Sequence, residues 1–466
     1  MSTTNDTHAL DRLREFDRSS GPDRPSGPPP DQLDRGTGTG EMALSIVLPG
    51  APAIRRRPVI GVLLFLVGVV APIAFGVWLY ANRADIVGFA LDPDVLLMVI
   101  GVSVGAVLAR LGALVEIAHA YRYSPGIGGR TAVATAVVLL LGVPAYWVTF
   151  HAYNARNVVA DVFSGGSPDP LYTPVAGETQ SPVDPNDITN ILLLGGDAGP
   201  GRWGLRTDTM ILVSIHEGSG RTALVSIPRN LTNLEFPPGT PLADQYPNGF
   251  DDLANAVFPR VSTNPDLMDY YGDSGLQGEA IALTEALGYS LDVEIDDFAL
   301  VNMQGFTEVI DAIGGVTLEL DSSVPLPPSI PGEHEVPASI GPGTVDMDGA
   351  LAIAYVRTRS ADSDYQRMGR QRQLLAALGS QVSARDAIGA FGAVTGVLDD
   401  SMRTSLTASE FSDLLDTLGN NSAIQESVGL TPPLIQPGSP DYDQMRLIIA
   451  AVQQGLITGN PSGYAN

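Results

Sequence analysis

The 466-residue chain has no cysteine, which excludes disulfides, thiolate catalysis and cysteine-based zinc sites without deciding the compartment. It also has no lysine: all 26 cationic side chains are arginine. A GxxxxGK[ST] phosphate loop is therefore impossible. Histidine is scarce. His8, His119, His151, His216 and His334 stand apart without a ligand spacing, and no G-x-S-x-G elbow accompanies His216, which reads as structural. Zinc, thiol and serine-triad chemistry drop out.

Positive charge is in short supply, with 52 Asp and Glu against those arginines and a formal net charge of −26. The deficit is local. Residues 1–150 carry 12 arginines and 12 acids, whereas residues 151–466 carry 14 against 40. Such a surface repels nucleic acid and anionic head groups, so it argues against general phosphate-backbone binding. Any anion has to be bound locally.

What is present falls into four parts. Residues 1–57, with GPDRPSGPPPDQLDRGTGTG, are rich in Pro, Gly and charge and read as a disordered cytoplasmic tail. Residues 58–150 hold about three transmembrane helices: an uncharged run from Pro58 to Tyr80, a second from about Val95 to Ile117 weakened by Arg110 and Glu116, and a third from Thr131 to Phe150. Arg55, Arg56 and Arg57 precede the first run, and Arg122 and Arg130 occupy the loop before the third, so the positive-inside bias makes the protein multi-pass in the cell membrane. It also places everything after Phe150 on the outer face. A middle stretch that only lay in the interface would reverse this topology. Residues 151–187 read as an extracytoplasmic linker.

Residues 188–466 carry an α/β pattern. ITNILLLGG, TMILVSIHE and TALVSIP are strand-length runs of neighbouring strands; LADQYPNGFDDLANAVF and GEAIALTEALG have helical spacing; DDFALVN and VTLEL are further strands around a helix FTEVIDAIGG. QLLAALGSQV, FSDLLDTLG and MRLIIAAVQQG read as closing amphipathic helices. The expected fold class is α/β, a mixed central sheet flanked by helices and preceded by transmembrane helices.

Two features suggest chemistry. Asp197 ends one strand and Asp208 begins the next across a loop containing Gly199, Gly201 and Gly204, so antiparallel pairing would bring both carboxylates to one sheet edge. Without nearby His or Cys they make a hard oxygen pair suited to Mg²⁺ or Mn²⁺, although Asp beside a Gly-rich turn is also ordinary turn chemistry. The segment RTRSADSDYQRMGRQR places five arginines between Arg357 and Arg372; a second group, Arg202, Arg206, Arg221 and Arg229, precedes it. In extended backbone Arg357 and Arg359 share a face, and Arg367 and Arg370 share a helix face behind a capping Asp364. Guanidinium forks match phosphate oxygens bidentately, but spacing alone leaves an arginine–aspartate salt-bridge lattice equally open, with Arg372 and one other arginine structural.

The pieces ILLLGGD, LRTDTMILVSI, TALVSIPRNL, NAVF, DDFALVNMQGFTEVIDAIGGVTLEL, GTVDMDGALAIAYVRTR and DSDYQRMGRQRQ, in that order from about Ile188 to Leu378, resemble the LytR-CpsA-Psr family of membrane-anchored cell-wall ligases. The resemblance implies an Mg²⁺-dependent phosphotransferase that moves a glycopolymer from a polyprenyl-pyrophosphate carrier to peptidoglycan. On it, Asp197 and Asp208 match the metal-associated acids, Arg206 the arginine beside them, and Arg229 the arginine after the third strand. Asn255 falls in the Asn-Ala motif, and Arg357, Arg359, Asp364, Arg367 and Gln371 match the last signature. With such a substrate a carboxylate, Asp208 or Asp364, would take the acceptor proton, and the helices ALTEALG and FTEVIDAIG would either line a prenyl tunnel or serve as plain core. The chain departs from the family in having Asn230 where a carboxylate is usual and three spans where one is usual. A lipid-pyrophosphate hydrolase and a non-catalytic binder of lipid pyrophosphate or wall polymer are the competing readings.

Overall fold

The computed structural model describes residues 37–83, 86–123, 126–163, 171–174, 187–197, 206–272, 277–327, 335–360, 363–381, 401–421 and 424–465. They divide into two units. One runs up to Val77 and from Val102 to Tyr146; the other comprises Trp78 to Gly101 and everything described from Trp147 onward.

The N-terminal helices are α1 (Thr37–Val47), α2 (Pro58–Ala81), α3 (Ile86–Leu91), α4 (Pro93–Ala120) and α5 (Ile127–Val162). Three are long and apolar enough to cross a membrane, over Pro58–Ala81, Pro93–Ala120 and Ile127–Asn157, close to the expected runs. Arg110, the charge that weakens the middle run, donates to the carbonyls of Ile46, Gly68 and Ala106 at 3.0, 3.3 and 2.8 Å. Glu116 pairs with Arg56 at 3.3 Å, and Arg56 with Glu41 at 2.7 Å.

Those bonds explain the first departure from expectation. The last part of the segment read as disordered is the helix α1, with Met42 and Ser45 buried, because GEMALSIV supplies an apolar face and Glu41 and Ile46 are tied to Arg56 and Arg110. The rest of that segment, residues 1–36, lies outside the described residues. A second departure is that α5 continues past Phe150 to Val162, since HAYNARNVVADV contains neither Pro nor Gly to stop it. Most of the remaining linker is likewise outside the described residues.

The domain is built on a six-stranded sheet. Its strands are β1 (Ile188–Gly196), β2 (Thr207–His216), β3 (Thr222–Ser226), β4 (Asp297–Asn302), β7 (Met402–Thr404) and β8 (Ile424–Gly429), in the order β8-β3-β2-β1-β4-β7. β1 and β3 pair antiparallel with β2, β7 antiparallel with β4, and the β1–β4 and β3–β8 pairs are parallel, so the sheet is mixed as expected. VTLEL, β5 (Val316–Leu320), instead pairs with β6 (Gly343–Met347) in a separate ribbon. The helices are α6 (Gln277–Leu291), α7 (Met303–Ala312), α8 (Gly349–Arg357), α9 (Asp364–Gln381), α10 (Ala408–Asn421) and α11 (Tyr442–Thr458). The helical reading of LADQYPNGFDDLANAVF breaks into Pro241–Gln245 and Val257–Ser262, because Pro247 and Gly249, the latter at φ +88°, interrupt it.

Period-two alternation sorts the sheet's side chains. Leu192, Leu194, Met210, Leu212, Val225 and Phe298 enter the main core with residues of α6 and α11. Leu193, Ile211, Ala299 and Val301 point to the opposite face, where α7, α8 and α9 leave a cavity. Gly349 lets α8 start close to α7: a Cβ there would collide with the Thr307 carbonyl.

Candidate active site

Asp197 and Asp208 stand at the joined ends of β1 and β2. Gly196 lies opposite Thr207, and the Asp197 N–H donates to the Arg206 carbonyl at 3.0 Å, so both carboxylates come to one end of the sheet. Gly195 permits the close pairing, since a Cβ there would lie 2.8 Å from that of Thr209. Gly199, Gly201, Gly204 and Arg202 lie outside the described residues.

Arg229 leaves β3 at the same end. Its Nη1 donates to Asp208 Oδ1 at 2.5 Å and its Nε to Asp364 Oδ2 at 3.3 Å. Asn255, which is buried, donates to the same Asp208 oxygen at 3.5 Å.

Arg357 is the last residue of α8 rather than part of an extended run. The stretch before it, ALAIAY, favours helix, and Asp348 caps it by accepting from Leu351 N at 2.8 Å. The helix ends at Thr358, with φ −58° and ψ 140°, and Arg359 follows. Arg357 Nη2 donates to Asp197 Oδ1 at 3.4 Å.

The start of α9 also corrects the expectation. Ser363 makes a capping box: its N–H donates to Gln366 Oε1 at 2.8 Å, and its hydroxyl accepts from Gln366 N at 3.3 Å. Asp364 is thereby released from capping. It binds Arg359 and Arg367 at 3.0 Å each and Arg229 at 3.3 Å. Arg367, only 4% exposed in its side chain, also donates to the Asp208 carbonyl at 3.1 Å. Gln371 reaches the Thr209 hydroxyl at 2.8 Å.

Burial opposes charge at each of these groups, and the balance differs. At Asp364 burial raises the carboxyl, but Arg367, Arg229 and Arg359 outweigh it and hold it below the ordinary carboxylate range. At Arg229 burial is overcome by Asp208 and Asp364, which raise it. At the more deeply buried Arg367 burial wins and lowers it.

These residues close one end of a cavity of about 550 Å³. Asp197, Asp208, Arg357, Arg359, Arg367 and Gln371 line its polar end, and Leu193, Ile211, Val301, Phe306, Ile310, Leu374 and Leu378 its apolar length. The helix FTEVIDAIG lines it as expected. ALTEALG does not: α6 is buried in the core on the other face of the sheet, because its many small and apolar residues pack all round. The third wall comes from the QLLAAL stretch of α9. Arg206 is exposed and joins the group through its carbonyl.

The role of Arg370, though not its place on the Arg367 face, was outside what spacing shows. Arg370, buried, donates to the Tyr355 carbonyl at 3.1 Å and to that of Thr358, fixing the chain between Arg357 and Arg359. Its signal was the three-residue spacing from Arg367, which shows a shared face but not a backbone target. Arg372 is structural as expected: it donates to Ser427 of β8 at 2.8 Å, and burial pushes it down to about 10. His216 is also structural, its Nδ1 2.7 Å from the Ser219 hydroxyl in the β2–β3 turn.

Asp197 and Asp208 suit a hard divalent cation in donor type and in facing one cavity. Among the described residues no set of three His, Asp or Glu side chains is placed to hold a metal by itself. A cation here would complete its shell with ligand oxygens and water, as Mg²⁺ commonly does.

The family model described as LytR_cpsA_psr family matches residues 170–429. Biofilm regulatory protein A of Streptococcus mutans is 28% identical over 244 residues, 51% of this chain and 54% of that protein. The match spans about half of that relative's length. Polyisoprenyl-teichoic acid–peptidoglycan teichoic acid transferase TagU of Oceanobacillus iheyensis is 30% identical over 272 residues, 57% of this chain and 74% of that protein. The crystal structure of B. subtilis TagV covers 59% of this chain and 99% of its own at 20% identity, with a TM-score of 0.41.

Asp364→Asn tests the network. Neutralising the anion shared by three arginines, one of them buried, destabilises the fold at pH 7 by about 2–3 kcal/mol, below the full buried-pair range because Asp364 is a quarter exposed. The folded pKa is depressed, so the stabilisation is complete above the unfolded value of about 3.9 and vanishes as pH falls through the lower folded value. Denaturant titrations should show the gap between wild type and variant constant above about pH 5 and closing in stronger acid.

Proposed function

The chain belongs to the LytR_cpsA_psr family, and we propose that it is a membrane-anchored phosphotransferase that moves a glycopolymer from a polyprenyl-pyrophosphate carrier to peptidoglycan. The observation that carries this reading is the join of arginines and acids to an apolar cavity: one end matches a pyrophosphate and the other a prenyl tail. The name of the TagU relative, which describes transfer of teichoic acid from a polyisoprenyl carrier to peptidoglycan, supports it. The polymer is named here only by class.

In the proposed reaction an acceptor hydroxyl of peptidoglycan attacks the glycan-bearing phosphorus. A new P–O bond forms, the bridging P–O bond breaks, and polyprenyl phosphate leaves. Negative charge grows on the transferred and leaving groups, and Arg357, Arg359 and Arg367 converge on the end of the cavity where that occurs. Arg229 and Asn255 orient Asp208. Asp364, held below the ordinary range by its arginines, is a poor base and acts as their organiser. Asp208, which faces the cavity, remains to accept the hydroxyl proton. Mg²⁺, or Mn²⁺, held by Asp197 and Asp208 together with the pyrophosphate, would supply charge neutralisation.

Placement outside the cytoplasmic membrane, with three crossings, belongs to the same proposal. It is supported by the arginine asymmetry of the loops and by α3, between the first two spans, lying against α10 of the domain, where a Cβ on Gly88 would be 3.6 Å from the Ser412 hydroxyl. That loop and the domain then share one side of the bilayer. Reporter fusions after Asp187 should read as extracytoplasmic and fusions between Arg122 and Arg130 as cytoplasmic; a cytoplasmic signal after Asp187 overturns the topology.

Labelled lipid-linked glycan, supplied with and without peptidoglycan oligomer, tests the function. Transfer only with the acceptor is expected; release without it identifies a hydrolase, and binding without turnover a non-catalytic module. Arg359→Lys should be nearly as inactive as Arg359→Ala, since lysine keeps the charge but not the fork. Asp208→Asn should lose about a hundredfold at limiting Mg²⁺ and recover partly at high Mg²⁺. Undiminished wild-type transfer in excess chelator removes the metal from the proposal.

A further inference from the structure

The apolar end of the cavity shares its wall with the end of a membrane-crossing helix. Val309 and Met402 line the cavity, and both also pack, with Ala312, against Val162 at the C-terminus of α5. Phe163, the next residue, packs against Val162 and against the buried group Ile191, Ile215 and Leu406, which also takes Leu193 of the cavity wall. Its ring centroid lies 5.6 Å from that of Phe411 in α10. Val162 is 1% exposed, and both residues precede the stretch 170–429 matched by the family.

At about 550 Å³ the cavity is of the size that encloses a drug-sized ligand. A prenyl tail long enough to anchor a glycan in a bilayer exceeds it and has to emerge. The wall that meets the end of α5 is the one formed by Val309 and Met402, which Val162 backs.

We propose that Val162 and Phe163 are specificity-determining positioning residues of the lipid site: the outer part of a long prenyl tail leaves the cavity past Val309 and Met402, whose placement Val162 and Phe163 set from behind. This rests on the reading of the cavity as a prenyl-pyrophosphate site. A short tail ends inside the cavity and does not reach that exit. Tail length is therefore sensed by the membrane anchor.

The test is equilibrium binding of farnesyl pyrophosphate and of undecaprenyl pyrophosphate to the full chain in lipid nanodiscs. Phe163→Ala should weaken the undecaprenyl probe about tenfold, the scale of one lost large apolar contact, and the farnesyl probe less than about twofold. Phe163→Leu, which keeps most of the packing, should fall between wild type and Phe163→Ala. Retained farnesyl binding shows that the domain is folded. Equal weakening of both probes, or no change in either, overturns the inference and leaves the site's reading intact. If wild type binds neither probe, the prenyl-pyrophosphate reading and the inference fall together.

Discussion

Four arginines brought to one end of a cavity repel each other, and Asp364 makes their arrangement tolerable by accepting from three of them at once. It can do so because Ser363 caps α9 in its place. Asp208 and Asp197 neutralise the remaining contacts, to Arg229 and Arg357. The lattice of ion pairs and the proposed anion site, which look like alternatives in the sequence, draw on the same residues. Each guanidinium has five donors, and a carboxylate occupies only one or two, so the lattice aims the rest without exhausting them.

The sheet's two faces differ in how they are covered. One face is closed by α6 and α11 over a continuous apolar core. The other is covered at its edges and left open in the middle, between α7, α8 and α9. A cavity is costly to a fold, because its lining forgoes dispersion contacts. Here the well-packed face supplies the stability that an open second face does not, and strict alternation along β1 and β2 keeps the two from exchanging residues.

The strands, the long apolar helices and most of the residues gathered at the candidate site were legible because each rests on a local pattern: period-two apolar runs, long uncharged stretches, arginines in a family signature. What was not legible depends on partners distant in sequence. ALTEALG and FTEVIDAIG have similar composition, and only the sheet face each meets separates core from cavity wall. Arg370 differs from Arg367 in target, a backbone carbonyl at residue 358 against a carboxylate at 364, and spacing does not encode that. Asp364 as a cap was a sound local inference that lost to Ser363 one residue earlier. Helix α1 was masked by the Pro/Gly-rich stretch before it, and its partners Arg56 and Arg110 lie in other segments.

Arg110 also bears on how the chain enters its membrane. A lone arginine near the middle of an apolar helix costs about 2.5–3.5 kcal/mol to insert. Its guanidinium is satisfied by carbonyls of three segments, α1, α2 and α4 itself, and two of these are synthesised before it. The satisfaction of the one arginine in α4 thus depends on α1 and α2 packing against it. A helix that looks like the end of a polar tail thus supplies one of the acceptors that a charge in a later apolar helix requires.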